Sequence, residues 1–201
     1  MRKFRRQGIV ITTQLSPDEV MLLQSLIAQL VEMIGEDETD GADGDGPTGG
    51  DPTAPGGSGD DPFAVWAKEF EPPGTTAPPD DPALQRLFPE AYRDDPEAAA
   101  DFRRFTERSL RDKKVADAQV ALQHLAMTDQ GRQELRIPKD EVDPWLRTLT
   151  SLRLAVAARL GIDDADVAEQ LADLPDEDPR AWLASVYDWL GFAQETLLAA
   201  L

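Results

Sequence analysis

Between Glu36 and about Pro79 the sequence runs "EDETDGADGDGPTGGDPTAPGGSGDDP" and then "EPPGTTAPP", rich in Asp, Gly, Pro and Thr, with Lys68 its only base. Such a stretch lacks the apolar area needed to offset the entropy of ordering it. It reads as a disordered acidic linker over 36-79. The core then has to come from a β-hairpin plus amphipathic helix in 1-35 and a helical region in 80-201, packed together as one domain. One island interrupts the linker: in "FAVWAKEF", Phe63, Trp66 and Phe70 fall at i, i+3 and i+7, one face of a short helix near 63-70. That helix is expected to dock, either back on its own domain or on another protein.

The Asp-rich run does not have the spacing of a calcium loop, which needs acids at alternate positions, a glycine at the turn and a closing Glu. With Gly46 at the turn, Gly41 takes the first ligand position and Pro52 the last. Nor is "GDGPTGGD" a phosphate loop, because no Lys-Ser or Lys-Thr follows its glycines and no apolar strand precedes them. The chain has no cysteine, which removes disulfides, thiolate zinc and a cysteine nucleophile. His124 is the single histidine. It lies beside the apolar stripe of "VALQHLAM", so it reads as a packed helix residue, and one histidine supports no triad. Ser16, Ser109, Ser151 and Ser185 lack the glycines of a nucleophile elbow. The expectation is a protein that is not an enzyme and holds no cofactor and no metal.

The formal net charge is −19, yet the chain opens "MRKFRRQGIVI", with Arg2, Lys3, Arg5 and Arg6 at its front. Gln7-Gly8 suggests a hairpin turn. A turn there sets Phe4 opposite Ile11 and Lys3 opposite Thr12. It points Phe4, Ile9 and Ile11 inward and leaves Lys3, Arg5, Val10 and Thr12 outside. "SPDE" then offers Ser16 as N-cap, Pro17 at the first helical position and Glu19 as the reciprocal cap. The helix carries Val20, Leu23, Leu26, Ile27, Leu30 and Ile34 on one stripe and is expected to stop at Gly35.

Beyond the linker, Asp81-Pro82 and Asp95-Pro96 both have the form of helix starts. From Pro96 the stripe Phe102, Phe105, Ser109, Val115, Leu122 and Leu125 predicts one long helix. It also holds the densest basic stretch: Arg103, Arg104, Arg108, Arg111, Lys113 and Lys114. "IPKDEV" at Ile137 to Val142 echoes "LSPDEV" at Leu15 to Val20, which shared capping chemistry explains, and "GRQELRI" adds a third strand if it pairs with the hairpin. Asp143-Pro144 and Asp178-Pro179 are read as caps of two helices containing Trp-Leu, with a shorter helix from Asp163 or Asp164 between them. Burying Trp145, Trp182 and Trp189 would give this region large contact areas. The expected fold class is mainly α, a helical domain with a small N-terminal β-hairpin.

The opening "MRKFRRQGIVITTQLSPDEVMLLQSLIAQL", the central "PPDDPALQRLFPEAYRDDPEAAADFRRFTERSLRDKK" and the closing "LRLAVAARLG" with "VYDWLGFAQETLL" together resemble the actinobacterial oxidative stress transcriptional regulator family, AosR, long carried as a domain of unknown function. The resemblance spans both ends and skips the linker. It implies a cytoplasmic regulator that works through the transcription machinery, by contact with a sigma factor or RNA polymerase, and that answers oxidative stress. A thiol switch needs cysteine, which this chain lacks. Met21, Met33 and Met127 read as packing residues and are poor substitutes for it.

Function therefore divides into classes. The first is a regulator acting by protein–protein interaction, with Arg2, Lys3, Arg5, Arg6, Phe63, Trp66 and Phe70 as the candidate contact residues. The second is direct DNA binding through the hairpin or the basic helix, which the overall acidity opposes because every phosphate contact works against the field of the chain. A non-transcriptional adaptor or scaffold is the third. No apolar run reaches the roughly 18 to 20 residues of a membrane span, so no membrane partner is expected and the expected location is the cytoplasm. Replacing Gly41 to Gly59 by a neutral Gly-Ser spacer of equal length is expected to leave the melting temperature nearly unchanged, checked by circular dichroism. A large loss of cooperativity would place a structured element there.

Overall fold

A computed structural model describes residues 1–40, 78–175 and 177–201. The helix expected near 63-70 and most of the acidic linker lie outside the described residues. The fold is mainly helical with a small antiparallel sheet, as the periodicity implies.

The hairpin forms, but its turn sits one residue later than expected. Strands β1 (Arg5–Gln7) and β2 (Val10–Thr13) set Arg5 opposite Thr12, Arg6 opposite Ile11 and Gln7 opposite Val10. Gly8 takes φ +67°, a left-handed conformation that glycine enters without steric cost, so Gly8-Ile9 makes the turn. Ile9 consequently stands at the tip, 80% exposed, instead of pointing inward. Phe4 and Ile11 are buried as expected, but so is Thr12, which the alternating pattern put outside. On that face Thr12 stands between two long side chains, Arg5 of β1 and Arg136 of β3 (Leu135–Pro138), which pairs antiparallel with β2 and sets Ile11 opposite Ile137 and Thr13 opposite Leu135.

Helix α1 (Pro17–Asp40) begins with the anticipated capping box. The Ser16 N–H donates to Glu19 Oε2 at 2.8 Å and the Glu19 N–H to Ser16 Oγ at 3.3 Å. Val20, Leu23, Ile27, Leu30 and Ile34 are buried along one face, with Leu26 half-buried at its margin. The helix runs past Gly35, because Gly35 does not adopt the left-handed φ that ends a helix. Asp81 and Asp95 cap α2 (Pro82–Leu87) and α3 (Pro96–Ala126), the latter one unbroken helix.

The entry to α4 (Val142–Leu160) differs from its expected form. A 3-10 turn over Lys139–Glu141 leads into it, Glu141 takes the N-cap position, and Asp143-Pro144 already lie in the first turn. A proline there costs nothing, since its missing N–H would have had no partner. Gly161 at φ +71° closes α4, and Asp164 caps α5 (Ala165–Ala172). At α6 (Ala181–Leu198) the N-cap is Arg180. Asp178 instead accepts the Arg180 N–H at 2.8 Å in a turn just before the helix.

Helix α4 occupies the middle, packed against α1, α2, α3 and α6. Trp145, 1% exposed, is its largest buried side chain, with Leu149, Leu152 and Val156 following on the same face. Trp189 is partly buried, but Trp182 is 63% exposed and does not belong to the core. Its helix turns Ala184, Val186 and Leu190 inward instead. None of the described helices is long and apolar enough to cross a membrane.

Gly131 fastens the end of α3 to the start of α1. It sits at φ +81°, and a Cβ there would meet Leu15 O, Pro17 N and Ser16 C at 3.0 Å. Its N–H donates to Thr128 Oγ1 at 3.2 Å and its carbonyl accepts from Gln14 Nε2 at 2.7 Å. Gly131→Ala is expected to cost about 2 kcal/mol or more, from the left-handed backbone alone and then from contact with main-chain atoms that cannot move aside. Trp145→Ala should cost about 3 to 5 kcal/mol, while Trp182→Ala should stay within about 0.5 kcal/mol. Urea unfolding of the three variants checks all of these.

Candidate functional site

The long helix α3 buries charge where its sequence promised aromatics. Arg103, Glu107 and Arg111 are 7%, 6% and 4% exposed, whereas Phe102 is 40% and Phe105 66% exposed. Arg111 donates to Glu107 Oε1 through Nε at 3.0 Å and Nη2 at 2.6 Å, and through Nη1 to the Ile34 carbonyl of α1 at 2.6 Å. Arg103 Nε lies 3.4 Å from Glu107 Oε2, and the Arg111 guanidinium stacks 4.6 Å above the Phe88 ring. The ladder at i, i+4 and i+8 holds two guanidiniums and one carboxylate, and Glu90 Oε1, 3.3 Å from Arg103 Nη2, supplies the second negative charge; with these pairs made and its alkyl stems packed, it can occupy a buried face.

The displaced aromatics form a surface. Tyr92 and Phe102 meet edge to face at 5.8 Å, the Arg104 guanidinium lies 5.6 Å from the Phe105 ring, and Arg108 is exposed beside them. Reading the sequence for apolar period missed this strip. The signal that could have found it is the alternating Arg-Glu-Arg at four-residue spacing, which fixes the other face of the helix. On α6, Trp182 and Phe192 are also exposed.

The hairpin places its cations on the edge of the sheet. Arg2, Lys3, Arg5 and Arg6 are all exposed. Arg6 donates to the Leu201 main-chain oxygen at 2.7 Å and to the Gly8 carbonyl at 3.2 Å. Among the described residues, none of the four forms an ion pair with a carboxylate. One local role is visible: charge along β1 discourages pairing of this open edge with another chain. Phe63, Trp66 and Phe70 lie outside the described residues. No cluster of His, Asp and Glu with metal-binding geometry occurs among the described residues.

His124 is buried on the inner side of α3, with its Nδ1 accepting from Trp145 Nε1 at 2.9 Å and its Nε2 2.8 Å from Glu141 Oε2. It is a packed residue, as its sequence context implied.

A family model described as a domain of unknown function, DUF2017, matches residues 1–201. The chain belongs to this family. Proteins named oxidative stress regulator AosR from Mycobacterium bovis and Mycobacterium tuberculosis are each 34% identical to it over 134 residues, 61% of this chain and 59% of their own. A relative from Mycobacterium leprae is 31% identical over 138 residues, 64% of this chain and 62% of its own. The chain thus matches these relatives over about three fifths of their length. No solved structure matches. The resemblance read from the two ends and the centre of the sequence is confirmed by these relatives.

Arg111→Met is expected to destabilise by about 2 to 4 kcal/mol, because it strips Glu107 of its closest partner and leaves the Ile34 carbonyl short of a donor. Phe105→Ser should change stability by no more than about 0.5 kcal/mol. Thermal melts of the pair distinguish a buried ladder from an aromatic core.

Proposed function

We propose that this chain is a non-enzymatic transcription regulator of the cytoplasm that takes part in the oxidative stress response by binding a protein of the transcription machinery, a sigma factor or RNA polymerase. The names of the mycobacterial relatives support the regulatory role and the link to oxidative stress. The observation that carries the protein-binding reading is the hairpin: Arg2, Lys3 and Arg5 stand exposed and without Asp or Glu partners among the described residues of a chain whose net charge is −19, with Arg6 beside them held by main-chain oxygens. Exposed cations that no Asp or Glu engages are available to an acidic patch on a partner, where they steer association more than they add affinity. Phe63, Trp66 and Phe70 are the apolar anchors of the same contact.

Replacing Arg2, Lys3, Arg5 and Arg6 together by Gln tests this. Stability should be unchanged, and association with purified RNA polymerase or its sigma factors, followed by surface plasmon resonance, should become slower and less sensitive to salt. Duplex DNA gives the opposite reading. Tight, sequence-specific binding of the unsubstituted protein to a promoter fragment, falling with salt at a log-log slope near −0.9 per neutralised phosphate and lost on this substitution, would replace the protein partner by DNA.

A further inference from the structure

Helices α3 and α4 enclose a cleft of about 260 Å³ lined by Leu110, Lys113, Lys114, Asp117, Arg147, Thr148, Thr150 and Ser151. Its polar groups are unequally engaged. Arg147 grips Asp117 with both ends, Nε to Oδ2 at 2.6 Å and Nη2 to Oδ1 at 2.9 Å, so these charges satisfy one another. Thr148 and Thr150 donate back to the Pro144 and Leu146 carbonyls of their own helix at 2.8 and 2.7 Å, and Thr150 Oγ1 accepts from Gln194 Nε2 at 2.7 Å, so neither hydroxyl has a proton to offer an anion.

Ser151 and Lys114 are different. The Ser151 side chain is buried, accepts from Lys114 Nζ at 3.3 Å, and among the described residues its own hydroxyl proton has no acceptor. Lys114 is partly buried, its ammonium meets only that hydroxyl and, at 5.8 Å, the face of Phe88, and no carboxylate among the described residues pairs with it. Burial holds this ammonium below the usual lysine range, with the nearby Asp117 charge acting the other way. The floor of the cleft therefore carries a partly desolvated cation and an unspent hydroxyl donor side by side, beside Leu110, two threonine methyls and lysine stems.

We infer that this cleft is a binding site for a small organic acid, a monocarboxylate on a short aliphatic stem, held by Lys114 and Ser151. The carboxylate takes one oxygen to the ammonium and accepts the Ser151 hydroxyl proton, and Lys113 closes the rim as a second cation. The stem lies against the carbon walls. The volume is below that of ordinary drug-sized pockets, which limits the ligand to a few heavy atoms. A phosphate dianion fits less well, because Asp117 shares the floor and a single sunken ammonium does not offset a second negative charge.

Butyrate is a suitable probe, with butyramide as its neutral twin and inorganic phosphate as the dianion, each titrated into the full chain and followed by NMR at the Lys114 side chain and the Ser151 amide. Butyrate should give saturable shifts at both positions, butyramide none, and phosphate a weaker response than butyrate. Lys114→Met keeps the stem and removes the charge. It should hold or raise the melting temperature while weakening butyrate by roughly tenfold or more. Ser151→Ala, which leaves the ammonium in place, should weaken it by a few-fold. No saturable shift up to tens of millimolar butyrate, equal response to butyramide, tighter binding of phosphate, or shifts that survive in both variants would each overturn the assignment.

Discussion

The indole N–H of Trp145, sunk at the centre of the helical layer, needs an acceptor, and His124 provides it from the neighbouring helix. A donor left unpaired in such a place costs about 1 to 3 kcal/mol, a large part of the margin by which a chain of this size stays folded. Because Nδ1 of His124 accepts, its proton sits on Nε2 and points to the carboxylate of Glu141. Glu141 ends the 3-10 turn that joins β3 to α4. One side-chain relay thus ties α3, α4 and the turn after the last strand together. The group that could have served as a base in catalysis is consumed by architecture, with its ring lying 6° from parallel to the indole it supports.

That relay rests on a sheet that is itself small. Ile11 against Ile137 and the adjacent Leu135 give it an apolar inner face. Gly131 lets the chain descend from α3 into β3 with its backbone pressed against residues 15 to 17. The strands are short, three or four residues each, and would not hold alone. Their stability comes from the helices they cover, which places the hairpin cations on a fixed edge and not on a loose arm.

How much of this was legible in the sequence depends on which physical cue carried each part. Capping chemistry was read correctly at Ser16, Asp81, Asp95 and Asp164, because an oxygen two or three residues before a helical N–H is a local matter. The same cue misled at Asp143 and Asp178, where proline followed the aspartate but the chain entered the helix by another turn. Apolar periodicity placed α1 correctly and the second half of α3, where Leu125 is buried and Val115 and Leu122 pack on the core, but it failed on the first half, since Arg103, Glu107 and Arg111 bury as an ion-paired ladder with Glu90 and a hydropathy count treats them as surface. Trp182 shows the converse: size and apolarity favoured burial, while Ala184, Val186 and Leu190 decided which face of α6 turned inward. The hairpin register slipped because Gly8 can serve as either residue of a two-residue turn. The cleft was invisible for a stronger reason, since Lys114 and Ser151 are brought together only by the crossing of two helices far apart in sequence.

An acidic protein that displays cations seems to argue against itself until distance is considered. At physiological ionic strength the field of a charge falls off over about 8 Å. Arg2, Lys3, Arg5 and Arg6 are held at the edge of an ordered sheet, and among the described residues no Asp or Glu pairs with them. A compact acidic patch meeting that edge would feel chiefly the local cations. A DNA duplex is an extended line of charge, and lying along this surface it would bring phosphates within a screening length of the acids as well as the bases. The same locality governs the cleft: Lys114 is partly buried and Asp117 is already held by Arg147, so a single carboxylate there would meet attraction at short range despite the sign of the whole molecule. Net charge therefore argues against extended polyanions, and leaves small anions and discrete acidic patches open to this fold.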